Sequence, residues 1–348
     1  NVALSVTKNT ASQVAAVDNM MFIRGLTDVG TLNGVQQWLG DVLDYDYFLK
    51  DTYSVEAQSV GLPTAISYVP EIEYNMIDRN ADLMQEYGLQ KYSDGVIQVG
   101  GNIHNSTIVL DPDTYYANYS DWYATKTTKI LWWENVELIK DNSGKAAELC
   151  YTAHGNATAY NAMVEAAANA IVEAFKENPT QNRASFSVRD GYYYCNCTAC
   201  EAKGNTSDTL VIFLNDVCTK VAEGLAGDAR QSTFKIVTLA YHQTNAAPKN
   251  ISSLTNYSSF KNHIELWFGD SYGDYTDGLK DSSSAKNQEI YANFQAWTNL
   301  VGDADVLLWV YYTNTKNGFV PYNTFTAIRE NYAMAYDAGV DYLFNQTI

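Results

Sequence analysis

Basic residues are scarce in this chain. Lys and Arg number 22 against 40 Asp and Glu, for a formal net charge of −18. A balance this acidic gives no electrostatic footprint for nucleic acid or an anionic membrane surface. Long apolar runs are missing too: nothing approaches the roughly 18 residues that mark a spanning helix, so no membrane span is expected. No phosphate-cradling or dinucleotide fingerprint and no G-x-S-x-G elbow occurs, which sets aside the nucleotide-binding and α/β-hydrolase classes. Histidine occurs 4 times, never as H-x-H or H-x-x-x-H, which favours a substrate hydrogen-bonding role for His104 over a metal-ligand role. Heptads, short repeats and low-complexity tracts are absent. No basic-then-apolar leader is present, and the first residue is not Met.

Aromatic residues are plentiful by contrast. The 348 residues include 27 Tyr, 12 Phe and 7 Trp, many in segments that read as strand ends or loops. Such rings either fill core and surface or make stacking platforms for sugars and other polar-faced ligands. The 5 cysteines are unevenly spread. Cys195, Cys197 and Cys200 form a tight C-x-C-x-x-C, with Cys150 available as a fourth partner. These four suit a structural metal, zinc by ligand type, or disulfides in an oxidising compartment. Cys218 falls on the apolar phase of a helix and reads as buried. Asn-x-Ser/Thr sequons begin at Asn105, Asn118, Asn156, Asn196, Asn205, Asn250, Asn256 and Asn345. They bear on function only in a eukaryotic secretory route, and chance in an Asn-rich bacterial protein is the preferred reading.

Residues 1–60 read as the C-terminal part of a small α/β domain. Met20–Arg24 and Tyr45–Lys50 are predicted strands around a helix over Leu32–Leu43, whose Val35, Trp38, Leu39 and Val42 share a face. Residues 64–348 then alternate. Strands are predicted at Ile66–Tyr74, Gly95–Ile103, Ala146–Tyr151, Ser185–Val188, Phe234–Tyr241, Ile264–Phe268, Val306–Tyr311 and Val340–Phe344. Helices are predicted at Ile77–Tyr87, Asp113–Tyr123, Ala159–Lys176, Asp208–Glu223, Glu289–Leu300 and Thr324–Tyr336, with one short turn between Pro248 and Ser259. Asn142-Ser143-Gly144 signals a hairpin turn ahead of the third strand. Eight strands alternating with helices predict a (β/α)8 TIM barrel lacking its last helix, in a fragment of a longer protein. A doubly wound sheet competes, but the regular spacing and the lack of a Gly-rich loop after the first strand favour the barrel.

In such barrels the chemistry sits at the C-terminal ends of the strands. Those ends supply His104 and Asn105, then Arg189 and Asp190, then Tyr241 and His242. The later strands add Asp270 and Tyr272, then Trp309, Tyr311 and Asn314, and finally Gln346. Carboxylates among aromatic and amide side chains suit a carbohydrate. Glycoside cleavage needs a protonated carboxyl at the leaving oxygen and a second group as base or nucleophile, a part the substrate's own 2-acetamido oxygen can take when a carboxylate orients it. Asp190 and Asp270 are the candidate catalytic residues, each weighed against an ordinary helix-cap or turn aspartate. The remainder of that rim is the candidate substrate-binding set.

The run Asp190, Tyr194, Cys195, Cys197, Cys200 resembles the D-x-x-x-Y-C-x-C-x-x-C pattern of the domain of unknown function 4838. That family is related to glycoside hydrolase family 163, endo-β-N-acetylglucosaminidases of complex N-glycans. Leu149-Cys150, Leu239-Ala240-Tyr241 with Pro248-Lys249, Trp309-x-Tyr311-x-x-Asn314 and Phe344-x-Gln346 extend the likeness, and His104 follows Gly100-Gly101 as the family's histidine does. The chain departs from the pattern at Asn75, Arg189, Val310, Asp270 and Asn345. The resemblance implies a (β/α)8 barrel, a secreted or cell-surface setting and a glycan or oligosaccharide partner. It leaves two expectations: a hydrolase acting on an N-acetylhexosamine-containing glycan without a catalytic cofactor, or a barrel that binds glycans and has lost part of that machinery.

Overall fold

The computed structural model describes residues 8–18, 20–49, 52–55, 65–70, 74–77, 90–91, 95–130, 133–250, 257–270, 273–280, 282–302, 305–312, 323–340 and 342–346. The chain divides into two compact units, Asn1–Tyr92 with Val310–Asn323 and Tyr332–Ile348, and Ser93–Trp309 with Thr324–Asn331.

In the smaller unit, β1 (Ser12–Val17) and β2 (Met20–Gly25) form an antiparallel hairpin that turns at Asp18. The helix Asp28–Leu43 starts where Thr27 caps the amide of Gly30. Its glycines let it lie close on the hairpin: a Cβ at Gly34 would come within 2.8 Å of Ser12 and Ile23. The antiparallel pair β3 (Tyr45–Leu49) and β4 (Thr52–Val55) follows. The predicted strand at Ile66–Tyr74 is two strands: β5 (Ile66–Tyr68) pairs antiparallel with β1, while β6 (Tyr74–Ile77) pairs parallel with Tyr342–Gln346 on one side and β7 (Gln90–Lys91) on the other. Most of the helix predicted at Ile77–Tyr87 lies outside the described residues.

After a series of short helical turns, the larger unit forms the antiparallel hairpin of β8 (Thr125–Ile130) and β9 (Trp133–Leu138). Its core is a row of parallel strands, β10 (Arg183–Ser185), β11 (Lys235–Ala240), β12 (Ile264–Gly269) and, as far as Trp309, β13 (Val306–Tyr311), paired in sequence order. Ile97 bridges in parallel to Ala184 and makes a fifth member. All six residues of β12 are buried, as expected of a strand covered on both faces. The helix Ala157–Glu177, capped by Asn156, buries Met163, Ala167, Ile171 and Phe175 completely. It packs on the helix Thr206–Gly224, where Gly224 lets Val172 approach. Phe175, Phe186, Phe213 and Phe234 are fully buried in this layer, and truncating any one of them costs about 3–5 kcal/mol.

The closed eight-stranded (β/α)8 barrel expected from the sequence does not form among the described residues; the fold is a mixed α/β architecture with an open parallel sheet. The failure lies at the second and third predicted strands. Gly95–Ile103 supplies only the bridge at Ile97 before a 3-10 turn over Val99–Gly101, with Gly100 and Gly101 both in the left-handed region. In Ala146–Tyr151 the main-chain groups are committed away from a parallel ladder. The amide of Ala147 donates to Ile139 O, that of Leu149 to its neighbour Glu148 and that of Cys150 to Trp122 O, while Glu148 O accepts from Ala124. The predicted helix at Asp113–Tyr123 likewise breaks into one turn over Pro112–Tyr115 and a 3-10 turn over Ser120–Trp122.

Candidate functional site

Four sulfur atoms meet in the larger unit. Cys150, Cys195, Cys197 and Cys200 are all free thiols, and their Sγ atoms lie within 4.8 Å of one another. Cys150 Sγ is 3.8 Å from Cys197 Sγ and 3.6 Å from Cys200 Sγ. Tetrahedral zinc with Zn–S bonds of about 2.3 Å separates its sulfurs by about 3.8 Å. Both Cys150 distances match that spacing, whereas a disulfide requires about 2.0 Å. The surroundings suit thiolates as well: Thr125 N donates to Cys195 Sγ at 3.4 Å, His154 N donates to Cys150 Sγ at 3.2 Å, and Thr152 Oγ1 lies 3.2 Å from Cys200 Sγ. Hydrogen bonding within the cluster lowers Cys150, chiefly through Cys195, and Cys197, chiefly through Cys150, while Cys150 raises both Cys195 and Cys200. His154, bonded to Cys197, is raised to about 9. The four cysteines can hold a metal ion, and the donor set is that of a closed structural site without a vertex for substrate.

Five residues before Cys195 stands Asp190, reached by the chain as it leaves β10. Its side chain is 67% exposed, and its Oδ1 lies 3.6 Å from Nε2 of His242, whose side chain is 6% exposed. His242 follows β11 at the start of a 3-10 turn and takes a left-handed φ of 49°, a conformation that costs on the order of 1–3 kcal/mol outside glycine. The turn is held by Thr244, whose hydroxyl donates to Leu239 O and accepts from Tyr241 N while its amide bonds Tyr241 O. The strained backbone aims the imidazole back at Asp190, with the Tyr192 and Tyr241 rings against it at 4.4 and 3.7 Å between centroids. The His104 ring lies 5.8 Å from that of Tyr241, with Nδ1 donating to Val188 O. Burial lowers both histidines. The charge of Asp190 opposes that shift in each, and His104 lowers His242 further. Gln243 Nε2 donates to Tyr193 O and ties the same turn to the tyrosine loop. Gly191 is required there: its φ is 143°, and a Cβ would come within 2.4 Å of the Tyr193 ring.

A buried carboxylate joins these two centres. Glu148 is 2% exposed. Its Oε1 accepts from Ser106 Oγ, Leu149 N and Tyr151 Oη at 2.7, 2.8 and 3.1 Å, and its Oε2 accepts from Arg189 N at 2.8 Å. Burial raises its pKa, and the four donors oppose the rise. The residue thus fixes the main chain beside Cys150 and beside Asp190 at once. Sequence reasoning missed it, although a lone charge inside the apolar run Ala146–Tyr151 was the available signal.

The structure gathers Asp190, His242, Tyr241, His104 and Arg189, whose guanidinium donates to His104 O at 3.0 Å. Asn105 stands behind them, fully buried: its Nδ2 donates to Val99 O, Ser185 O and Ser185 Oγ, and its Oδ1 accepts from Ser187 N. Asp270, with 0% exposure, follows β12 directly after Gly269, on which Tyr241 packs. Trp309 is 8% exposed and stands edge-on to Trp267. Tyr311 and Gln346 belong to the smaller unit. Tyr272 and Asn314 lie outside the described residues. Five sequon asparagines have their Nδ2 already donating within the protein, Asn105 as above and Asn156, Asn196, Asn205 and Asn250 to Asp121, Thr127 O, Ala247 O and Lys203 O.

Among the described residues no helix is long and apolar enough to cross a membrane. None of the curated proteins compared with the chain matches it. A family model described as a domain of unknown function, DUF4838, matches residues 49–348, which takes in both the thiol cluster and the Asp190 rim. The chain belongs to the DUF4838 family.

Proposed function

We propose that the protein is carbohydrate-active, a glycoside hydrolase-like chain acting outside the cell on an N-acetylhexosamine-containing glycan, with Asp190 as the carboxylate that meets the sugar. The observation behind this reading is the composition of the rim: an exposed carboxylate beside a buried imidazole, with Tyr192, Tyr241 and His104 around them. Aromatic faces stack on sugar rings, and imidazole and carboxylate satisfy sugar hydroxyls and an acetamido N–H. Parallel sheets receive ligands at the carboxyl ends of their strands, and Asp190, His242 and Asp270 all follow such ends. In this reading Asp190 acts as acid or orienting carboxylate and Asp270 as the second acidic group. The relation to glycoside hydrolase family 163 rests on the sequence motifs alone. The four-cysteine cluster holds a structural zinc.

One observation favours the alternative of a glycan-binding protein without catalysis. Asp270 is fully buried, while cleavage by two carboxyl groups needs both at the glycosidic bond. The test is release of reducing sugar from a panel of complex N-glycans and chitooligosaccharides, with binding measured on the same panel. Asp190→Asn is expected to abolish release and leave binding within a few-fold. Binding without release by the unaltered protein selects the alternative, and neither binding nor release refutes both.

A further inference from the structure

The thiol cluster does more than close a loop on itself. Between its first two sequence-adjacent ligands, Cys195 and Cys197, stands Asn196, which behaves as one more strand residue on the edge of β8. Its amide donates to Thr125 O at 3.2 Å, its Oδ1 accepts from Thr127 N at 2.6 Å, and its Nδ2 donates to Thr127 O at 3.0 Å. Thr125 N meanwhile donates to Cys195 Sγ itself. The base of the hairpin is bonded to the segment Ala146–Leu149, and its outer β8 edge meets the cysteine loop through a cysteine ligand and the residue that two cysteines flank. A side chain reproduces a β-ladder in this way only where its own backbone is held, because two bonds from a single flexible amide do not repay the ordering of a loop. The holding point here is the set of four sulfurs, which joins residues 45 positions apart, from Cys150 to Cys195.

We infer that a borderline-soft divalent metal at Cys150, Cys195, Cys197 and Cys200 is what docks the hairpin Thr125–Leu138 onto the loop that carries Asp190. The inference rests on the zinc reading of the cluster. Binding takes place as the thiols give up their protons and the thiolates coordinate the ion. The coordinated loop then presents Asn196 in strand register and keeps Gly191–Tyr194 between two fixed points, the metal at one end and the His242–Thr244 turn at the other. Without the ion, the reprotonated thiols have only weak S–H contacts with one another, and Asn196 loses the firmly held backbone that made it a strand edge.

The experiment uses the full chain. Metal content is measured by mass spectrometry, zinc is withdrawn with a chelator, and amide hydrogen exchange is followed at Thr127, at Asn196 and, as an internal control, along the helix Ala157–Glu177. Stoichiometric zinc is expected, and its removal is expected to speed exchange at Thr127 and Asn196 by about tenfold or more while the helix is unchanged. Asn196→Ala leaves all four ligands in place: it should retain zinc and still release Thr127. A chain that takes up no zinc refutes both the zinc reading and the inference. Removable zinc with unchanged exchange at Thr127, or Asn196→Ala with wild-type exchange there, refutes the docking role alone. Exchange that rises across the helix as well shows general unfolding and refutes a local clamp.

Discussion

Replacing Glu148 with Gln changes one atom and should destabilise the fold by about 3 kcal/mol, the loss of one hydrogen bond to a charged acceptor together with one unsatisfied buried donor. The magnitude follows from what faces each oxygen. Oε1 accepts from two hydroxyls and the Leu149 amide, and Oε2 accepts from the Arg189 amide. Hydroxyls can turn and accept, but main-chain N–H groups cannot. Whichever way the Gln carboxamide is placed, its NH2 opposes either the Leu149 or the Arg189 N–H. A protonated Glu escapes this conflict because its O–H oxygen keeps a lone pair for the amide. The two changes are therefore distinguishable. Burial raises the Glu148 pKa in the folded chain, so its contribution to stability is complete below the unfolded-state value and is lost as pH rises through the folded-state value. Urea unfolding followed by circular dichroism at a series of pH values reads both effects. The wild type should lose stability with rising pH over that window, and Glu148→Gln should lack the slope while lying lower throughout. A variant within about 0.5 kcal/mol of wild type, the usual range for an indifferent surface change, would refute the reasoning.

The Asp190–His242 pair makes a prediction of sign. In an NMR titration of the imidazoles, Asp190→Asn should lower the His242 midpoint, because an attractive charge is removed, and His104→Gln should raise it, because a repulsive one is removed. Movement of either in the opposite direction refutes the proximity. Asp208, 2% exposed, accepts from the amides of Asn205, Lys249 and Asn250 at 2.8, 2.9 and 2.6 Å. Asp208→Ala should cost about 3 kcal/mol by leaving main-chain donors without an acceptor, and a shift in melting temperature of under a degree would count against that account.

The elements that were legible in the sequence are those whose signals are local. The helix at Ala157–Glu177 shows its apolar stripe and its Asn cap, and the one at Thr206–Gly224 shows a capping box of Asn205 and Asp208. The strand at Val306–Tyr311 is an unbroken apolar run, and those at Lys235–Ala240 and Ile264–Gly269 are apolar but for Lys235, Thr238 and Glu265. The third predicted strand was illegible for a physical reason: Glu-Leu-Cys-Tyr is as apolar as a strand, but what its amides bond to is decided by Trp122, Ile139 and its own Glu148. No pattern of hydrophobicity encodes that choice. Among the site residues, the cysteines advertised themselves by spacing and Asp190 by its place after a strand. The orientation of His242 depends on a left-handed backbone enforced by Thr244, which neither residue type announces.

The asparagines of the sequons bear on how the protein is made. In a secretory pathway that adds glycans, transfer precedes folding and replaces a hydrogen on Nδ2 with a branched sugar. For Asn196 that hydrogen side is the one lying on Thr127 O, and for Asn105 it is sealed among Val99 and Ser185. An oligosaccharide at either position would arrive before the partner groups and hold them apart. The gene is thus suited to expression in cells that lack the transferase, and a yield gained by substituting Asn118, whose side chain is not used in this way, would not rescue a secreted eukaryotic preparation.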